Sequence, residues 1–332
     1  MKKKDTFFNK FDNMLLISLP VREGKGEDNF YCCGPDENLD KAVMGVFDSS
    51  GGLGSRTHKE MGGYTEAYLG SRTLSGALHD WFEAYRDRPF PRDKELTDSL
   101  YAYFMTAYGV IKDHTVENTR IKGALIRSFP TTGTIVAAEN NPEGILLQIL
   151  WAGDSRIYLL DRDGLAQFSI DDVATTDALE NLTGDDSMSN VMAADGEFRM
   201  NYRQKLITEP TMVLAASDGC FGYLPTPMEF EFEILDALCH AESPYQFRDQ
   251  LAGLFKDVAG DDATMCMTSF MFGTFKEQKK ILQPRLDLVN ARYIAPLDDC
   301  RKNHPDKERE YTRRVWNEYR RNYERMWTSG GK

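Results

Sequence analysis

Short apolar stretches bounded by turn residues dominate the beginning of the chain. Residues 14–19, 29–33 and 42–47 are rich in Val, Ile, Met, Phe and Tyr, which favour extended structure. The first two stretches flank Glu23-Gly24-Lys25-Gly26, a turn-rich sequence around which we predict that they pair. The pattern therefore predicts three early strands.

The next 50 residues change to a helical period. Residues 64–85 and 94–116 place apolar side chains three and four positions apart, and Pro89 and Pro91 separate the two stretches. We predict two long amphipathic helices. Their aromatic residues recur at the burial period, which favours a role in the core over a stacking site.

Strands and helices then alternate to residue 272. A strand meander is predicted over 134–138, 144–151, 156–160 and 166–170, further strands over 205–207, 211–216 and 264–272, and helices over 225–239 and 245–258. Between them, residues 171–198 are acidic and lack periodicity. This order predicts an α+β fold in which two antiparallel sheets are flanked by helix pairs, an α-β-β-α sandwich.

Carboxylates recur where the predicted strands begin or end. Asp48 and Asp218 follow apolar strands, Asp261 precedes one, and Glu27-Asp28 and Asp154 lie at other strand breaks. One such Asp is a common turn former or helix cap, but five acid-bearing strand ends need a common explanation. Clustered carboxylates repel one another and require a cation. Ligand oxygens without His or Cys suit Mg²⁺ or Mn²⁺ and disfavour zinc.

The order and wording of these segments resemble the PP2C-like (PPM) metal-dependent protein serine/threonine phosphatases of bacterial type, from about residue 14 to about residue 273. Six motifs occur in family order: Glu27-Asp28, Gly45-Val46-Phe47-Asp48-Ser49-Ser50-Gly51-Gly52, Thr132-Gly133-Thr134, Gly153-Asp154-Ser155-Arg156, Ser217-Asp218-Gly219 and Asp261-Asp262-Ala263-Thr264. The resemblance implies a PP2C-like fold and two metal ions, Mn²⁺ or Mg²⁺, with a third, weaker ion in some family members.

The same resemblance implies a role for each acidic position. The metal ligands would be Glu27, Asp28, Asp48, Ser49, Asp154, Asp218 and Asp261. Asp48 would bridge the two ions, beside the Ser49 carbonyl and one of the two early carboxylates; Asp218 and Asp261 would hold the second ion. These three Asp are the predicted catalytic residues, because the ions activate a water for in-line attack on phosphorus. Thr264 would be structural.

The sequence departs from the family pattern at two positions. Ser50 replaces the His that many eukaryotic members carry, so the leaving group would be protonated by a metal-bound water. The expected phosphate-holding Arg falls on Glu23, which leaves Arg22 and Lys25 as the phosphate-binding candidates.

Several segments keep alternative interpretations. Residues 53–63 form either a substrate-side lid or a plain surface loop, and residues 171–198 form either the family's variable flap or a flexible acidic loop. Glu27 and Asp28 could instead serve as turn or cap residues. In the Gly-Asp-Ser-Arg motif, Asp154 could pair with Arg156 in a purely structural turn.

Composition and charge narrow the range of functions. The 332 residues are 41% hydrophobic and 28% charged, and their net charge of −12 disfavours nucleic acid and anionic membranes as partners. The six Cys lack metal-ligand spacing and are expected to be reduced. No apolar run is long enough to span a membrane or to act as a signal peptide, so we expect a cytoplasmic protein.

Residues 276–332 differ from the rest and lie outside the resemblance. They carry 15 Lys and Arg against 9 Asp and Glu, a charge of +6, which leaves −18 on residues 1–275. An aromatic stripe follows the predicted helix 308–327, at Tyr311, Val315, Trp316, Tyr319, Tyr323 and Trp327. We predict a phosphatase domain over 1–275 and an extension that docks on it or recruits a partner protein or anionic surface.

Three functions remain open at this point. The first is hydrolysis of phosphoserine or phosphothreonine on proteins, opposing a Ser/Thr kinase. The second is a noncatalytic scaffold or sensor with the phosphatase fold. The third, hydrolysis of a small phosphate ester, is less favoured because nothing resembles a nucleotide or sugar pocket. The full set of acids favours the first.

Overall fold

The structure is a computed structural model. It describes residues 14–34, 40–49, 54–115, 127–175, 177–182, 188–196 and 198–328. In that part of the chain, no helix is both long and apolar enough to cross a membrane.

Two antiparallel sheets form the centre of the molecule. The order of the described strands in the first sheet is β1 (Leu15–Leu19), β12 (Ala263–Phe270), β11 (Thr211–Ala216), β8 (Arg156–Asp161) and β9 (Gly164–Gln167). In the second sheet it is β10 (Asn201–Ile207), β7 (Gly144–Ala152), β6 (Thr132–Asn141), β3 (Lys41–Asp48) and β2 (Asn29–Cys33). A short hairpin joins β4 (Thr57–His58) to β5 (Tyr64–Thr65).

The inner faces of the two sheets pack on each other. Val46 and Ile149 of the second sheet share one apolar cluster with Ile157, Val213 and Cys266 of the first. Because helices cover the outer faces, the central strands are buried on both sides; all nine residues of β7 and all eight of β12 are buried. This explains why their sequences are nearly continuous apolar runs without alternation.

Helix pairs complete the sandwich. Helices α1 (Glu66–Tyr85) and α2 (Asp93–Asp113) share a core with the second sheet, whereas α4 (Pro227–His240) and α5 (Pro244–Val258) share one with the first. Thr226 and Ser243 cap α4 and α5, and each is followed by Pro at the first helical position, where a missing N–H costs nothing. The predicted α-β-β-α sandwich is confirmed.

The C-terminal residues continue as helices. They form α6 (Phe275–Val289), a π-helical turn (Asn290–Ile294), α7 (Ala295–Asn303), α8 (Glu308–Tyr323) and α9 (Arg325–Thr328). A capping box between Thr274 and Glu277 starts α6. Leu286, Trp316 and Tyr323 lie in the same apolar cluster as α4, α5 and the outer face of the first sheet.

Two predicted strand pairings are wrong. Strands β1 and β2 lie in different sheets: β1 pairs with β12, and β2 pairs with β3. The meander predicted from residue 134 to residue 170 is also divided, since β6–β7 and β8–β9 are hairpins of opposite sheets. The chain changes sheet at Gly153, whose φ of 95° breaks the strand.

Candidate functional site

Five carboxylates at the ends of strands of both sheets lie close enough for the charges of four of them to act on the fifth, Asp48. We call them the acid cluster: Asp28, Asp48, Asp154, Asp218 and Asp261. Asp48 is the last residue of β3, and Asp28 immediately precedes β2, so both belong to the second sheet. Asp218 follows β11 of the first sheet after one residue. The sandwich therefore brings together acids that are up to 233 residues apart in the chain, as the distance from Asp28 to Asp261 shows.

Asp48 lies at the electrostatic centre of the acid cluster. Burial raises its pKa well above the usual range, and the charges of the other four members raise it further. Burial also raises the pKa of Asp28 to about 8 and that of Asp154 to about 7, with Asp218 adding to both rises. Gathering these negative charges is unfavourable unless protons or a cation compensate them.

The chemistry of the donors fits a hard divalent cation. All five members of the acid cluster offer oxygen, and Oδ2 of Asp28 is buried without a hydrogen-bond partner. In the described part of the chain, however, no group of three or more Asp, Glu, His or Cys side chains is already arranged to hold a metal ion. The donor set fits, and the carboxylates would have to close around the ion.

Two glycines allow the backbone to approach closely at the acid cluster. A Cβ on Gly153 would lie 2.4 Å from Cβ of Thr132. A Cβ on Gly219 would lie 2.0 Å from the carbonyl oxygen of Asp262. Both distances are far below van der Waals contact, so the glycines beside Asp154 and Asp218 are required by packing.

Of the two early acids, Asp28 joins the cluster, because its charge acts on Asp48. Glu27 instead faces the start of α1: its Oε1 accepts a hydrogen bond of 2.5 Å from Oγ1 of Thr65, the residue that caps α1. The structure thus gives the two adjacent acids different surroundings.

Ser49 and the end of β3 are fixed from two sides. Oγ of Ser49 donates to the carbonyl of Ala67 at 2.7 Å, which ties it to α1. Oγ1 of Thr131 donates to the carbonyl of Asp48 at 2.7 Å. Ser50, predicted in place of the family His, lies outside the described residues.

Asp262, next to the acid cluster, was not predicted from the sequence to have a role. Its Oδ1 accepts from the backbone N–H of Val21 at 2.7 Å, and its Oδ2 accepts from those of Glu27 at 2.5 Å and Asp28 at 3.4 Å. One carboxylate thereby ties the early turn to the start of β12. Its position directly after Asp261 was the available signal.

The predicted phosphate-binding residues Arg22 and Lys25 are both exposed, in a turn closed by a 2.9 Å hydrogen bond from the N–H of Lys25 to the carbonyl of Arg22. Arg72 was not among the residues predicted from the sequence. Its guanidinium stacks on Tyr68 at 3.4 Å and donates to the carbonyl of Gly26 at 2.9 Å.

Arg72 borders two cavities. One, of about 250 Å³, is also lined by Asp28, Asp262 and Thr264, next to the acid cluster. The other, of about 810 Å³, lies between α1 and α2 and is mostly apolar in lining. Because a phosphoryl group needs polar partners, the smaller cavity is the better candidate for its approach despite its size.

The predicted structural alternative for the Gly-Asp-Ser-Arg motif, in which Asp154 pairs with Arg156, is wrong about the ion pair. The buried Arg156 forms its ion pair with Asp171, at 2.7 Å between Nη2 and Oδ2, and not with Asp154. Its guanidinium also lies over the ring of Phe221 at 4.2 Å. Asp154 is thereby left without the ion pair that a purely structural turn would give it.

The two loop predictions gain structure where the chain is described. Residues 54–63 contain β4 and a single 3₁₀ turn, and the buried His58 contacts Glu66 at 2.9 Å and stacks on Phe129, so this is an anchored hairpin and not a plain loop. Leu53 lies outside the described residues. Within 171–198, α3 (Ala178–Asn181) and the bridge between Thr131 and Met192 are ordered elements.

Solved bacterial phosphatases share this fold. A bacterial serine phosphatase matches with a TM-score of 0.59 and 18% identity, covering 79% of this chain and 99% of its own. Stp1 from Staphylococcus aureus, a serine/threonine phosphatase, gives 0.57 and 17% over 81% and 99%. The serine/threonine phosphatase PstP/Ppp from Mycobacterium tuberculosis gives 0.53 and 19% over 78% and 98%. The predicted PP2C-like fold is confirmed.

Comparison of the amino-acid sequence with protein families and with curated proteins finds no relative. No protein-family profile matches it. No curated protein matches it significantly either.

Proposed function

We propose that the chain is a metal-dependent phosphatase that hydrolyses phosphoserine and phosphothreonine on proteins. The observation that carries the proposal is that four carboxylates from both sheets surround a fifth, that of Asp48. Burial raises the pKa of Asp48, and the charges of the other four raise it further. Bringing these charges together without a cation is unfavourable because they repel one another, so cation binding would explain the arrangement. The shared fold of known phosphatases supports the same reaction.

We assign the roles of the residues as follows. Asp48 would contribute to the binding of both ions, Asp28 and the Ser49 carbonyl would hold one of them, and Asp218 and Asp261 would hold the other. Asp154 would join Asp218 around a third ion. Bound Mn²⁺ or Mg²⁺ would supply water activation and charge neutralisation at phosphorus.

The surrounding residues of the chain orient this set. Asp262 holds the backbone of Glu27 and Asp28 against β12, and Thr131 holds the end of β3. Arg72 is a candidate for the substrate phosphate, since it is the guanidinium that lines the cavity containing Asp28. Arg22 and Lys25 remain candidates, because their exposed side chains can turn toward a substrate.

Hydrolysis of a phosphothreonine peptide by metal-stripped protein tests the proposal, with Mn²⁺ or Mg²⁺ added back. We expect turnover only with metal, and a loss of at least about 100-fold in kcat for Asp218→Asn, because one electrostatic contributor to such a site is worth about that factor. Asp249→Asn, an exposed acid on α5, is the matched control. Equal turnover by Asp218→Asn and wild type would contradict the proposal.

A second candidate function is a phosphatase-like scaffold or sensor without catalysis. It is favoured by one observation: among the described residues, no group of three or more Asp, Glu, His or Cys side chains is already arranged to hold a metal ion. Calorimetry separates the two functions. Metal binding without turnover on phosphoserine or phosphothreonine peptides would favour the scaffold, and turnover would exclude it.

The domain division, the partners and the tail belong to the same proposal. Residues 1–275 would form the phosphatase unit, acting on a phosphoprotein and opposing a Ser/Thr kinase. Residues 276–332 would dock in cis, which is supported by the core that Trp316 and Tyr323 share with α4. The ion pairs of Arg313 and Arg320 with Asp177 add to that support.

A further inference from the structure

Three side chains of α8 converge on one carboxylate outside the acid cluster. Nη1 of Arg313 and Nη1 of Arg320 lie 2.8 and 3.1 Å from Oδ2 of Asp177. The indole N–H of Trp316 donates to the other oxygen, Oδ1, at 3.0 Å. Arg313 also pairs with Glu180. Two guanidinium groups and one indole N–H therefore contact a single Asp of the acidic region.

Asp177 belongs to what we call the bridging segment, residues 171–175 and 177–182. Its Oδ1 accepts from the N–H groups of Leu179 and Glu180, so it caps the short helix α3. At the other end of α3, Nδ2 of Asn181 donates to Oδ2 of Asp171 at 3.1 Å. The helix thus joins the α8 contact to Asp171.

The other end of the bridging segment holds the turn that carries Asp154. Asp171 forms the buried ion pair with Arg156, two residues after Asp154. Asp172 donates its N–H to the carbonyl of Gly153 at 2.9 Å, and its Oδ2 accepts from the Gly153 N–H at 3.1 Å. The turn is therefore held on both sides of Asp154, by hydrogen bonds at Gly153 and by the ion pair at Arg156.

The anchoring of α8 itself is extensive. Trp316 and Tyr323 are fully buried in the core of the first sheet, and the ring centroids of Tyr323 and Tyr158 lie 6.2 Å apart. After α8, Arg325 pairs with Asp161 at the end of β8, the strand that begins at Arg156. The helix is consequently fixed to the same strand that the turn leads into.

We propose that α8 is a positioning element for the acid cluster: through Asp177 and the bridging segment it holds the Gly153-Asp154 turn, and so sets the affinity for divalent metal. Asp177, Arg313, Arg320 and Trp316 are positioning residues, since they would act on the acid cluster through the bridging segment. The part of this inference that concerns metal rests on the proposed function. The part that concerns the turn does not.

The test compares Asp177→Asn and Trp316→Phe with Asp249→Asn, a matched change at an exposed ion pair on α5. Asp177→Asn keeps the shape and removes the charge that faces two guanidinium groups. Trp316→Phe removes the indole N–H from the α8 side and supplies a second variant should the first not fold. Two quantities are measured below the unfolding temperature of every variant: amide hydrogen exchange at residues 153–156 without metal, and Mn²⁺ affinity by calorimetry.

We expect exchange at residues 153–156 to rise in both variants and Mn²⁺ affinity to fall by at least about fivefold, the lower end of coupling between linked sites. The control should change neither. If the variants only unfold at lower temperature, with exchange and affinity unchanged, α8 merely stabilises the fold and the inference is wrong. If wild type binds no Mn²⁺, the proposed function fails and the metal part falls with it, while the exchange result decides the link to the turn.

Discussion

Glu231 on α4 offers the sharpest test of how the C-terminal helices join the rest of the molecule. Its carboxylate is fully buried and accepts four hydrogen bonds. Two come from Nε and Nη2 of Arg285 on α6, at 2.7 and 2.8 Å. The others come from Oη of Tyr319 on α8 at 2.5 Å and from the N–H of Leu165 on β9 at 2.9 Å. One side chain connects a strand of the first sheet to two helices of the extension.

The substitution Glu231→Gln keeps the shape of the side chain and removes its charge. Each carboxylate oxygen accepts from an N–H of Arg285, which cannot accept in return, so the new amide N–H₂ group faces a donor in either orientation. The Arg285 guanidinium, only 9% exposed, also loses its counter-ion. Breaking a buried ion pair by removing one partner costs about 3–5 kcal/mol. We expect the free energy of unfolding to fall by that amount.

Urea unfolding followed by circular dichroism measures this free energy. The matched control is Glu209→Gln, whose carboxylate is 58% exposed and pairs with Arg162 at 3.2 Å. An exposed pair is worth about 0–1 kcal/mol, so the control should be nearly neutral. A loss below about 1 kcal/mol for Glu231→Gln would refute the reasoning. Separate unfolding transitions in wild type would show instead that the extension is an independent unit.

Two further predictions concern the acid cluster. Gly219→Ala should lower the free energy of unfolding by about 1–3 kcal/mol and weaken Mn²⁺ binding in calorimetry, because its Cβ would lie 2.0 Å from the carbonyl oxygen of Asp262. The control Gly253→Ala on α5, which has open space around it, should be neutral or slightly stabilising. Equal effects of the two substitutions would contradict the packing argument. Because the pKa of Asp28 is raised to about 8 and that of Asp154 to about 7, the folded metal-free protein holds protons that the unfolded chain has released. Its melting temperature should therefore fall as the pH rises from about 4 to about 8, and Mg²⁺ should reduce the fall; a flat profile without metal would count against the clustered charges.

Local patterns in the sequence were enough to predict most of the strands and helices and to suggest a cluster of acids. Periodicity reflects burial, which is a local property of each segment, so most strands and the helices α1, α2, α4, α5 and α8 could be predicted to within a few residues, whereas α6 and the β4–β5 hairpin were not predicted. Strand ends are recognisable in the same way. The Asp residues that follow or precede them could thus be proposed as a cluster, and Asp28, Asp48 and Asp218 do lie together.

Which segments pair with one another became visible only in the folded molecule. β1 pairs with β12, about 250 residues away, because many apolar strands are equivalent partners in sequence and packing alone selects among them. The same holds for single side chains. That Arg156 pairs with Asp171, that Asp262 holds the early turn, and that Glu231 receives Arg285 follow from distances between segments, which no local pattern encodes.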